Sequence, residues 1–168
     1  MPTPSELLAL SRRLSAGNNG NPPTDAELRR AVSTAYYALF HKILRTAAER
    51  FMGTGQTATA GYSILYRGFQ HRDIKVICEA ISSPTMKLKY QLSLQRKNVS
   101  QDMVDFAVVF PILQEVRHLA DYDPGYQFAP SDVSYHIDAA ELAMDALDRA
   151  EPRERADVLA LMLVGARS

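Results

Sequence analysis

The chain has a single cysteine, Cys78, in 168 residues. One thiol excludes an intrachain disulfide and any zinc site built on paired cysteines, and it points to a reducing, cytoplasmic location. Long hydrophobic runs are missing as well. The longest, Phe106 to Leu113 and Val158 to Val164, fall far short of the roughly 20 residues that cross a bilayer, so no membrane association is expected. Met1-Pro2-Thr3-Pro4-Ser5-Glu6 lacks the basic stretch that opens a secretory leader, and none is expected. No segment of convincing length alternates with a strand period, and no internal repeat is visible. Gly53-Thr54-Gly55 is not followed by the Lys-Ser/Thr of a phosphate loop, and no strand–helix–strand unit hosts it. No serine or cysteine nucleophile signature occurs. Hydrolase, nucleoside-triphosphatase and dehydrogenase readings therefore have no support.

Charge of one sign is also lacking in total, since 19 basic residues balance 19 acidic ones. A neutral sum argues against strong non-specific nucleic-acid binding. The distribution is uneven: residues 1–100 hold 14 Lys and Arg against 6 Asp and Glu, and residues 101–168 hold 5 against 13. That asymmetry leaves room for a local basic surface and suits self-association.

What the chain does have is 46% hydrophobic and 23% charged residues, the composition of one globular domain over 1–168. Helical periodicity runs almost throughout. Thr3-Pro4-Ser5-Glu6 has the form of a capping box and opens a helix to about Leu14. Thr24-Asp25-Ala26-Glu27 is a second such box. It starts a long helix to about Met52, in which Leu28, Ala31, Val32, Ala35, Tyr36, Leu39, Phe40, Ile43, Leu44 and Ala47 recur at three- and four-residue steps. The pattern predicts a third helix over 62–81, weakened at Gly68, and an irregular basic segment over 82–100. A fourth helix follows from Ser100 to about Tyr122, with Pro111 inside to kink or divide it. A fifth covers 131–149 and a last one 152–166. The expected architecture is all-α: an antiparallel, up-and-down four-helix bundle with extra N- and C-terminal helices.

Two segments carry polar groups worth chemistry. In the second helix Ser33, Tyr37, His41 and Arg45 stand four residues apart, either the polar shoulder of a core helix or a seam lining a cleft or a dimer surface. At the end of the fourth helix, Arg117-His118-Leu119-Ala120-Asp121-Tyr122-Asp123-Pro124 collects Arg, His, Asp and Tyr beside a rigid turn. Arg117 and Asp121, four apart, make a helix-surface ion pair. A guanidinium held there can also grip a phosphate bidentately, while His118 points about 100° away from it. Asp132 and His136 read as a surface hydrogen-bonded pair. No metal ligand set of adequate spacing is found, and no cofactor is expected. In the basic segment Lys87, Lys89, Arg96 and Lys97 have no acidic neighbour between Ala80 and Gln101. They are either a contact for an anionic ligand near the cleft or a solvated loop.

The two polar segments together resemble the HEPN family, helical nucleotide-binding domains of toxin–antitoxin, defence and RNA-processing systems. The string Ser33 to His41 resembles the first long helix of that bundle, and Arg117 with Ala120-Asp121-Tyr122-Asp123-Pro124 resembles its late polar motif. The resemblance covers roughly residues 24–149. It implies RNA or a nucleotide as ligand, a homodimer with the polar motifs near the two-fold axis, and a nucleotidyltransferase-like protein as partner. RNA-cleaving members place a histidine four to six residues beyond the arginine. Here Tyr122, Asp123 and Pro124 occupy those places, so Arg117 carries over and the catalytic histidine does not. The expected function is an RNA- or nucleotide-associated accessory or binding protein. Two alternatives stand beside it: a metal-independent endoribonuclease using Arg117 with Tyr122, His118 or His41, and a structural helical dimerisation module.

Overall fold

A computed structural model of the chain describes residues 2–165. Among these residues there are eight helices and no strand: α1 Pro4–Ser15, α2 Asp25–Met52, α3 Ala60–Gly68, α4 His71–Ile81, α5 Leu88–Leu94, α6 Gln101–Tyr122, α7 Pro130–Arg149 and α8 Pro152–Val164. Both expected capping boxes form. Thr3 and Thr24 each accept from the backbone N–H three residues on, and Glu6 and Glu27 each bond back to the cap. Two donors that a helix start leaves orphaned are thereby satisfied at each end. No helix among the described residues is long and apolar enough to cross a membrane.

α2 is the axis of the molecule. Its expected apolar stripe is buried from Leu28 to Ala47, with Ala31, Val32, Ala35, Tyr36, Leu39 and Ile43 sealed completely. It packs against α1, α3, α6, α7 and α8. Arg29, Ser33 and Tyr37 of α2 meet Asp123, Asp121 and Arg117 in that order, so α2 and α6 run antiparallel. Arg149 near the end of α7 meets Asp102 at the start of α6, so those two are antiparallel as well. The result is an all-helical bundle with a continuous core.

The structure departs from the sequence reading at three places. The expected third helix is two helices, because Phe69 and Gln70 adopt extended backbone between them. This re-aims the chain so that Phe69 enters the core beside the Ile74, Ile77, Cys78, Ile81 stripe. Gly68 sits under α8, where a Cβ would come within 2.9 Å of Leu163 Cδ1. The segment 82–100 is not irregular throughout, since α5 lies inside it. Met86, Tyr90 and Leu94 recur every four residues and are buried, which is the period of a helix face. Pro111 does not divide α6, which is helical on both sides of it. The expected end of the last helix at Ala166 lies outside the described residues; α8 is described to Val164.

Candidate functional site

Arg117 and the Ser33–His41 seam come together across the α2–α6 contact. The Arg117 guanidinium donates through Nη2 to Tyr37 Oη at 3.1 Å. Its Nε stands 2.7 Å from Asp121 Oδ2, yet the N–H does not point at that oxygen, so charge rather than a hydrogen bond holds the pair. Asp121 is itself fixed, because its Oδ1 accepts the buried Ser33 hydroxyl at 2.6 Å. Three rings surround the guanidinium: Tyr36, Tyr37 and Tyr122, with centroids 5.8, 5.6 and 5.8 Å from Cζ. The remaining terminal nitrogen, Nη1, finds no partner among the described residues. A planar cation that is anchored on one side and open on the other suits an anion arriving from solvent.

The turn after α6 is secured by a residue the sequence reading did not single out. Arg29 donates to the carbonyls of Leu119, Ala120, Asp123 and Tyr126. It thus closes the orphan C-terminal carbonyls of α6 and fixes Asp123-Pro124-Gly125. Arg29 also pairs with Asp25 one turn before it at 2.7 Å, and that i,i+4 spacing is all the sequence offered.

His71 is the second addition. Its ring stacks on Phe40 at 3.9 Å, and its Nδ1 lies 2.5 Å from Tyr36 Oη. Tyr36 is fully buried, and His71 is its hydroxyl's hydrogen-bond partner. Burial raises the Tyr36 proton affinity well above the ordinary tyrosine value, so the hydroxyl stays protonated and donates to Nδ1. The imidazole is then neutral with its hydrogen on Nε2. Burial lowers the His71 pKa, and Arg117 and His41 lower it further. His71 therefore offers a neutral N–H on the wall that also carries Arg117.

The other candidate residues divide into three groups. His41 is in the cluster: its Nδ1 lies 2.7 Å from Tyr66 Oη, its ring lies 6.3 Å from Tyr37, and burial lowers its pKa. Burial likewise pushes Tyr66 up to about 12. Tyr122 touches the guanidinium with one face but is 66% exposed, and His118 is exposed with its ring 4.9 Å from Tyr122. Those two lie at the rim. The basic segment is not brought to this place. Arg96 bonds to Glu154 at 3.0 Å and to Asp157 at 2.8 Å. Lys87, Lys89 and Lys97 are exposed around α5, which packs on α8. Lys97 precedes the start of α6, and Arg117 lies roughly 24 Å further along that helix at 1.5 Å per residue.

The expected Asp132–His136 hydrogen bond is absent, because the buried His136 Nδ1 has no partner. Among the described residues no group of three or more His, Cys, Asp or Glu side chains is placed to hold a metal ion. No family model, no curated protein and no solved structure matches this chain.

Proposed function

We propose that this protein is a HEPN-like RNA- or nucleotide-associated accessory or binding module. In this reading α2, the α3–α4 pair, α6 and α7 are the four-helix core. Arg117 is the phosphate-binding residue, and the protein pairs as a homodimer about the exposed Tyr122 rim. One observation carries the reading: Arg117 is fixed by Tyr37 and by the Ser33–Asp121 pair, while its outer nitrogen is left for a ligand. The binding reading is preferred to the nuclease because no histidine stands four to six residues beyond Arg117, where RNA-cleaving members of that family carry one. His71 is bonded through Nδ1 to the buried Tyr36 hydroxyl, and the phenol of Tyr122 is a poorer base at neutral pH than an imidazole.

The ribonuclease reading keeps one specific observation in its favour. Two half-buried histidines, His41 and His71, stand near Arg117 with lowered proton affinity. One experiment separates the two. Binding of a labelled single-stranded RNA is followed by anisotropy in chelator, and the strand is then run on a gel. Intact RNA is expected, with Arg117→Ala binding about 10- to 100-fold weaker, the loss for a hydrogen bond to a charged group. Binding unchanged in Arg117→Ala overturns the site. Cleavage that Arg117→Ala abolishes replaces the binding module with the nuclease. Light scattering tests the pairing, with a mass twice 18.7 kDa expected.

A further inference from the structure

A cavity of about 220 Å³ opens beside the Arg117 cluster, lined among others by Pro2, Pro4, Arg45, Tyr62, Tyr66 and Arg67. One wall is a pair of tyrosines one turn apart on α3, their rings stacked 5.9 Å apart and only 22° from parallel. Burial of Tyr62 by the surrounding chain fixes that wall. Two cations edge it. Arg45 bonds through Nε to Glu49 at 2.7 Å, which leaves its terminal nitrogens without a partner among the described residues. Arg67 is exposed and makes no ion pair among them. Two prolines supply apolar surface with no backbone donor. Flat rings, apolar flanks and guanidinium groups suit a planar aromatic that carries negative charge nearby.

A chain of side-chain contacts links the cavity wall to the anion site. Tyr66 Oη meets His41 Nδ1 at 2.7 Å, the His41 ring lies 6.3 Å from Tyr37, and the Tyr37 hydroxyl holds Arg117. Arg45 and Tyr37 are two turns apart on α2, roughly 12 Å along its axis. The volume is below the roughly 300–1,000 Å³ of a typical cofactor or drug site. It admits a single base and part of its sugar.

We propose that this cavity binds one nucleobase of a strand whose neighbouring phosphate is held at Arg117. The proposal rests on the reading of Arg117 as a phosphate ligand and adds where the base goes. The stacked tyrosines take the base on a ring face, and Arg45 and Arg67 neutralise the adjoining backbone. Recognition by stacking tolerates any base, so affinity depends on the presence of a base more than on its identity.

The test compares a labelled 12-nucleotide single-stranded RNA with an abasic ribose-phosphate strand of equal length, each titrated against wild type, Arg67→Ala, Tyr62→Ala and Arg117→Ala. Wild type is expected to bind the intact strand at least about ten-fold tighter than the abasic one. Arg67→Ala, an exposed change that leaves the core alone, and Tyr62→Ala should each shrink that difference. Arg117→Ala should weaken both strands. Equal binding of the two strands by wild type, with both weakened in Arg117→Ala, overturns the base pocket and leaves the phosphate site standing. Binding of neither strand removes the phosphate site and the pocket together.

Discussion

The hydrogen between Tyr36 and His71 decides what the cluster can do. If His71 held its hydrogen on Nδ1, the buried Tyr36 hydroxyl would lose its acceptor, a cost of about 1–3 kcal/mol for an unsatisfied group. Nitrogen-15 NMR of His71 at pH 7.5 is therefore expected to show a protonated Nε2 and a bare Nδ1. Tyr36→Phe removes the donor, so the Nδ1–H form should rise, with a stability loss of about 1 kcal/mol. A wild-type ring protonated on Nδ1 would return His71 to the list of candidate bases. Residues of this site were unequally legible in the sequence. Ser33, Tyr37, His41 and Arg45 announced a common face by their spacing, and all four line the cluster or its cavity. His71 and Tyr66 announced nothing, because each is joined to α2 only through space, 35 and 25 positions from its partner.

Breaks and short helices were the elements hardest to read. A continuous helix over 62–81 is what the apolar spacing suggests. The extended Phe69–Gln70 step satisfies both halves by letting α3 face the cavity while α4 faces the core. α5 was hidden because it is only seven residues long and its apolar Leu88, Tyr90, Leu92 and Leu94 alternate with polar residues, although Met86, Tyr90 and Leu94 already had helical spacing. The sequence left Arg96 open between a contact for an anionic ligand and a solvated loop. Its guanidinium instead meets Glu154, which is 5% exposed and also accepts from the Ser100 backbone and hydroxyl. Glu154 thus ties the entry of α6 to α8. Glu154→Ala would remove the partner of Arg96 Nη1 and of two Ser100 donors and leave Arg96 held by Asp157 alone, a loss of about 2 kcal/mol. Urea denaturation should show that loss, and Arg96→Ser should destabilise the fold without changing RNA affinity. A Glu154→Ala protein as stable as wild type would mean water replaces every bond it makes.

For the molecule as a whole, the opposed charges of the two chain halves have a use inside one copy. Arg12 pairs with Asp138 and Glu141, Lys42 with Asp148, and Arg96 with Glu154 and Asp157, each basic residue from the first hundred and each acid from the remainder. The asymmetry that suited self-association is thus in part consumed within the chain and no longer argues for a pairing of copies. Histidine burial sets the response of this bundle to acid. His41, His71 and His136 all have pKa values lowered by burial, Arg117 and His41 adding to the effect at His71. His136 adds a buried Nδ1 with no partner. In the unfolded chain these rings take up protons near pH 6.5, while the folded chain resists them to lower pH. Below that point the unfolded state binds more protons, so stability rises with pH there and is complete above about pH 6.5. Carboxylates, which titrate near pH 4, stay ionised through this window. Thermal melts are therefore expected to be level from pH 8 to 7 and to fall by several degrees by pH 5.5. The triple variant His41→Gln, His71→Gln, His136→Gln should flatten that slope whatever its absolute stability. A wild-type melting temperature constant from pH 7.5 to 5.5 would show that these rings are as free to protonate in the bundle as in the open chain.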